Sequence, residues 1–173
     1  MNNRAPRWNQ KVVGSYFILV LIKTIVLAAI FFCVLKYGAG VRVMYGNRGY
    51  PSVRDGDLVI YSIWNKEAVR QGDMVLYRTE EGTYCARVIS AGGEEVDITN
   101  QGVVIDGSVL IEEVCYGTDA ESVEIKLPVS VSEDEVFVLN DYRIDNRDSR
   151  IYGSIPKEDL VGRVIFQARW RGF

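Results

Sequence analysis

The chain has 173 residues, 48% of them hydrophobic, and a formal net charge of −3, which suits one folded domain once an apolar amino-terminal segment is set aside. It contains no histidine, which removes histidine-based catalytic triads and the commonest transition-metal ligand. Charge is unevenly spread: residues 1–36 hold five of the 20 bases and no acid, so the remainder sets fifteen bases against 23 acids, a net of −8. Such an acidic domain argues against a nucleic-acid partner, whose phosphates call for basic patches.

Residues 1–11 carry Arg4, Arg7 and Lys11 and are expected on the cytoplasmic side, because basic residues favour retention inside. Residues 12–35 are apolar apart from Lys23, with Gly14, Ser15, Tyr16 and Thr24 as mild exceptions. At about 1.5 Å per residue a helix of that length spans a bilayer core of roughly 30 Å, so a single uncleaved membrane anchor is expected. A cleavable signal would have a shorter apolar stretch and a better exit than Gly38-Ala39-Gly40. Lys23 is read as snorkelling toward one interface, in preference to an intramembrane carboxylate partner. Residues 36–40 form a short glycine-rich joint, and residues 41–173 an extracellular domain.

Beyond the joint the pattern is mainly β. Runs rich in valine, isoleucine and tyrosine predict strands at Asp57–Ile63, Met74–Arg78, Thr83–Ser90, Val103–Ile111, Val123–Leu127, Val136–Leu139 and Gly162–Ala168. Gln71-Gly72-Asp73, Ala91-Gly92-Gly93 and Asn100-Gln101-Gly102 punctuate them. Asp106-Gly107 marks the best local hairpin, since this dipeptide readily takes the positive φ angles of a tight turn. The acidic run Ser132-Glu133-Asp134-Glu135 reads as a solvated turn before a strand. Trp8 and Trp170 suit either interfacial anchoring or packing.

Three cysteines, at 33, 85 and 115, lack the close spacing of a zinc site, and neither a metal nor another cofactor is expected. A disulfide between Cys85 and Cys115 and a pair of buried thiols are both compatible with the sequence. Cys85 has no recognisable base beside it and is read as a core thiol rather than a nucleophile.

Three segments carry a family pattern. The first is Gly46-Asn47-Arg48-Gly49-Tyr50-Pro51-Ser52-Val53-Arg54-Asp55-Gly56-Asp57, the second Tyr84-Cys85-Ala86-Arg87-Val88-Ile89, and the third runs from Asn140 through Asp141, Arg143, Asn146, Asp148 and Ser149 to Arg150. They resemble the nucleophile, base and bracing segments of type I signal peptidases, the serine-lysine peptidases of the S26 kind. Arg48 stands at the nucleophilic serine, Ala86 at the lysine, and Asn146 at a serine that orients the lysine. Arginine has no nucleophilic oxygen and alanine no ionisable group, so serine-lysine proton transfer fails at both positions. Asn140 and Tyr142 also depart from the pattern; the departures at 48, 86 and 146 fall on the proton-transfer unit, while the bracing positions Asp141, Arg143, Asp148 and Arg150 match.

The resemblance implies a fold of two connected antiparallel sheets behind the anchor, and an inactive homologue. It further implies a substrate groove bordered by Gly46, Pro51, Ser52, Tyr84 and Cys85, in which an extended peptide adds to a sheet edge. Such binding needs only unpaired backbone groups and pockets, so it survives loss of the dyad. Arg48 is read as a solvated loop residue, with pairing to a client's or the domain's own carboxylate as the alternative. Size, anchor and loss pattern are similar to those of the signal-peptidase-like accessory proteins of Gram-positive pilus clusters, which implies a chaperone-like role with pilin or a class C sortase as partner. A homodimer is compatible with this reading. An active peptidase using Ser52, or a regulatory subunit of a signal peptidase, are the alternatives.

Overall fold

A computed structural model describes residues 10–64, 66–112 and 115–169. They form two compact units, one ending at Gly38 and the other starting at Ala39. Arg4, Arg7, Trp8 and Trp170 lie outside the described residues.

The first unit is helix α1, Gln10–Gly38. Its segment Gly14–Cys33 has a mean hydropathy of 2.6 and is long and apolar enough to cross a membrane. The hydroxyl of Thr24 donates to the carbonyl of Val20 at 3.0 Å, so this polar group is satisfied within the helix. The expected joint at residues 36–40 is corrected: α1 runs through Gly38 and the first strand begins at Ala39. Leu35, Lys36 and Tyr37 are compatible with a helix interior, and only glycine interrupts the run.

The second unit is mainly β, in two antiparallel sheets. In chain order the strands are β1 Ala39–Val43, β2 Leu58–Ser62, β3 Met74–Thr79, β4 Gly82–Ser90, β5 Glu95–Thr99, β6 Gly102–Ile105, β7 Ser108–Val109, β8 Val129–Ser130, β9 Glu135–Leu139, β10 Ile155–Pro156 and β11 Leu160–Ala168, with a short helix α2, Ser149–Tyr152, after β9. The larger sheet has the order β1-β2-β11-β3-β4-β9-β10 and the smaller β7-β6-β5-β8. The Asp106-Gly107 turn joins β6 to β7 with φ angles of 47° and 78°, as a two-residue hairpin requires.

Side-chain alternation explains why β4 and β9 are buried on both faces. Ala86 and Val88 of β4 join Val136 and Val138 of β9 in one cluster with Val75, Tyr77 and Leu160. On the opposite face Ile89, Phe137 and Leu139 pack with Val96, Ile98 and Val103 of the smaller sheet. A third cluster sets Cys85 against Met44, Val53, Val59 and Leu76. The core therefore wraps β4, the strand that carries the second motif.

Two strand expectations are corrected. Val123–Leu127 is irregular: the N–H groups of Glu124 and Ile125 both donate to the carbonyl of Arg150 instead of to a neighbouring strand. Its apolar alternation is real, because Val123, Ile125 and Leu127 pack against the second cluster. Strand β5 was not anticipated, since Glu94, Glu95 and Asp97 mask its alternation; its buried positions are Val96 and Ile98.

Candidate functional site

The loop between β1 and β2 carries the first motif, and backbone bonds close it at its base. Met44 N–H donates to Asp57 O at 2.9 Å and Gly56 N–H to Met44 O at 2.8 Å. Gly46, at φ 83°, donates its N–H to Asp55 Oδ1 at 2.8 Å, a backbone conformation that favours glycine. The loop is pinned to the third motif where Tyr142 N–H donates to Arg48 O at 3.0 Å, and where the Tyr50 and Tyr142 rings meet edge to face.

Arg48 is thereby turned inward. It is only 8% exposed, and its guanidinium carbon lies 3.5 Å from the centroid of the Tyr84 ring. Glu81 and Asp145 each approach it at 3.5 Å. The expectation of a solvated loop arginine is corrected: stacking on an aromatic face and two of the domain's own carboxylates compensate the charge for its lost water. Burial pushes the Asp145 carboxyl up, but hydrogen bonds from Arg147 and the charges of Arg48 and Arg147 outweigh it and hold the group below its ordinary value.

Ala86 is two residues from Tyr84 on β4, and hence on the same face of the sheet. It is fully buried, opposite Val75. A methyl group in an apolar core therefore occupies the expected base position, with a stacked guanidinium over the neighbouring residue on that face. The side-chain amide of Asn146, the third expected departure, donates to the carbonyl of Ser122 at 3.0 Å.

The four bracing residues fall into three ion pairs. Arg150 pairs with Asp148 through two bonds of 2.9 and 2.7 Å, and both side chains are wholly buried. Arg150 also donates to the carbonyls of Arg143 and Asp145. Asp148 in turn caps α2 and accepts from the N–H of Asn140 at 2.9 Å. Arg143 reaches out to Glu112 with two bonds and to Thr118.

Asp141 belongs to a different constellation from that pair. It receives two bonds from Arg87, at 2.7 and 2.6 Å, and one from the Ser52 hydroxyl at 2.5 Å. Ser52, Arg87 and Glu112 line a cleft of about 480 Å³ with Leu110 and Ile111. Tyr84 instead lines a second cleft, of about 590 Å³, between residues 41–45 and 81–84.

The five expected groove residues are thus not brought into one cleft. Ser52 and Tyr84 go to separate clefts, and Gly46 and Pro51 belong to the loop between β1 and β2. Cys85 is corrected as a groove residue and agrees with the core-thiol reading, because strand alternation points it into the third core cluster. Arg87, Glu81 and Asp145 were missed as partners. Arg87 sits inside the matched second motif, which was the available signal; Glu81 had none.

Cys85 and Cys115 are free thiols, the first buried and the second exposed. Burial, with a contribution from Asp141, pushes the Cys85 thiol up to about 12 against the opposing charge of Arg87. At pH 8 iodoacetamide should therefore modify Cys115 in the native chain and Cys85 only after unfolding, which peptide mass spectrometry would read. Since the unfolded thiol ionises near its ordinary value of 9.0, the unfolded state holds fewer protons above that pH. This residue's contribution to stability should fall between about pH 9 and 12.

The second cleft has two unpaired strand edges beside it. Among the described residues, strand β1 bonds only to β2, and β4 bonds to β9 only from Arg87 onward, so that on that side Gly82–Ala86 has no strand partner among them. Main-chain groups on both edges are therefore free to pair with an extended peptide, the requirement of sheet augmentation.

Comparison with known proteins gives a consistent result. The family described as "Signal peptidase, peptidase S26" matches residues 15–170. "Probable signal peptidase I-1" of Synechocystis sp. is 33% identical over 92 residues, 50% of this chain and 45% of that protein. "Probable thylakoidal processing peptidase 2, chloroplastic" of Arabidopsis thaliana is 30% identical over 96 residues, 51% of this chain and 24% of that protein. The chain thus spans less than half the length of these curated relatives. A solved signal peptidase I from Enterococcus faecalis shares 23% identity at a TM-score of 0.47, covering 57% of this chain and 97% of that one.

Proposed function

Because the chain belongs to the signal peptidase family, peptidase S26, we propose that it is a member without peptidase activity that binds an extended peptide. In this reading α1 anchors it in the cell membrane with the amino terminus inside and the β domain outside. Its role is that of an accessory or chaperone-like factor in sortase-dependent pilin assembly, with pilin or a class C sortase as the partner. The observation that carries the reading is the fate of the dyad positions. Arg48 is stacked on Tyr84 and Ala86 is sealed in the core, so neither supplies a nucleophile or a base. The unpaired edges of β1 and β4 beside the second cleft support retained peptide binding. The pilus assignment rests on the resemblance in size, anchor and lost dyad.

A second reading draws on Ser52, whose hydroxyl donates to Asp141 at 2.5 Å. A carboxylate beside a serine is a base in principle, but Asp141 already accepts two bonds from Arg87. Taking the serine proton would weaken that charge-assisted pairing.

Detergent-purified full chain incubated with a signal-peptide-bearing preprotein separates the two readings. We expect no cleavage by the chain or by its Ser52→Ala variant, and retention of an extended client segment on the immobilised chain. Cleavage that Ser52→Ala abolishes would overturn the inactive reading. In cells expressing pilin and a class C sortase, deletion of the chain should abolish pilin polymers and the Ser52→Ala variant should restore them. Polymers that persist after deletion would remove the pilus role.

A further inference from the structure

Lys23 is the only charged residue between Lys11 and Lys36, and it lies at the middle of the apolar segment Gly14–Cys33. At 1.5 Å per residue it is about 14 Å from Gly14 and about 15 Å from Cys33. A lysine stem of four methylenes reaches roughly 6 Å, which falls short of either end. Sliding the helix by about 8–10 Å to bring the ammonium within reach of one interface draws residue 36 or residue 11 about 4–6 Å into the apolar layer from the other side. Two lysines, instead of one, must then stretch to opposite interfaces at the limit of their reach. The central position thus weighs against the snorkelling expected from the sequence.

No counter-ion is available within α1, because no acidic residue precedes Asp55 in the chain. A second parallel copy packed through the same face would set two ammonium groups side by side at one depth. The residues that flank Lys23 on its helix face, Leu19, Val20, Val26 and Leu27, are all exposed along α1. This face is apolar with one central positive charge, and its complement is an apolar helix with one central negative charge.

We propose that Lys23 is an intramembrane docking point for a different membrane protein, whose transmembrane helix carries an aspartate or glutamate near mid-bilayer. The pairing selects a partner by charge and depth and fixes the axial register of the two helices. It rests on the reading of α1 as a membrane anchor, and it gives the accessory role a second contact, independent of the peptide cleft.

The test uses the full chain in bacterial membranes, with a photo-crosslinking amino acid at Val26 and a co-expressed, epitope-tagged polyleucine transmembrane probe. The probe carries Asp, Asn or Leu at its centre, or Asp two turns nearer one end. Resistance to alkaline carbonate extraction is measured first: release would overturn the anchor reading and the pairing with it. With the chain retained, the central-Asp probe should crosslink roughly fivefold to thirtyfold more than the Leu probe. Lys23→Leu should reduce its yield to that of the Leu probe, and Lys23→Asp with a central-Lys probe should restore it. Equal yields for Asp and Leu probes, insensitivity to Lys23→Leu, or an equally good displaced-Asp probe would each overturn the pairing while leaving the anchor intact.

Discussion

Arg150→Ala should lower the unfolding free energy of the chain by about 3–5 kcal/mol, the range for removing one partner from a buried ion pair. Both Arg150 and Asp148 are wholly buried, so truncation leaves the carboxylate desolvated and without its bidentate partner. The two carbonyls that Arg150 bonds, those of Arg143 and Asp145, lose a donor at the same time. Asp148 also caps α2 and holds the N–H of Asn140, which ties the third motif to the end of β9. Arg147→Ala is the matched control. Its bond to Asp145 is as short, at 2.6 Å, but the arginine side chain is 52% exposed, and surface pairs of this kind are worth about 0–1 kcal/mol. Denaturant unfolding of the detergent-solubilised full chain, followed by the near-ultraviolet signal of its buried tyrosines, measures both. Equal effects from the two variants would show that burial does not set the difference.

The fold was legible where both periodicity and punctuation were strong. Strands β3, β4 and β9 send alternate side chains into different apolar clusters, and Asp106-Gly107 sets its own turn. Periodicity failed where acids diluted it, at β5, and where apolar alternation occurred without a strand partner, at Val123–Leu127. Within the site, the bracing pair Asp148 and Arg150 was readable because both residues lie in one motif. The destination of Arg48 was not, because Glu81 and Tyr84 of the β3–β4 hairpin and Asp145 of the third motif converge on it from two segments distant in sequence. Its charge implied solvent; the fold supplied an aromatic face and two carboxylates instead. Cys85 was legible as a core thiol but not as absent from the groove, since that depended on which face of β4 met the third core cluster.

Ala86→Lys should cost several kcal/mol in the native background and markedly less in the Arg48→Ser background. In the native chain the introduced ammonium would enter a fully buried position among Val75, Tyr77 and Val88. It would find the guanidinium of Arg48 already on that face, 3.5 Å from the Tyr84 centroid. Desolvation and repulsion between like charges then act together. Arg48→Ser alone removes the stacking and both ion contacts, leaving Glu81 and Asp145 without that partner, and should be destabilising by about 1–3 kcal/mol. Together the two changes remove the repulsion and return to the ammonium the carboxylates that Arg48 had engaged. A double-mutant cycle on the full chain should therefore give a favourable coupling of about 1–3 kcal/mol. Additivity within about 0.5 kcal/mol would mean that the two positions do not compete for one space. With strong coupling, an arginine at position 48 penalises a lysine at position 86, and a small apolar residue such as alanine becomes the stable solution beside the stacked guanidinium.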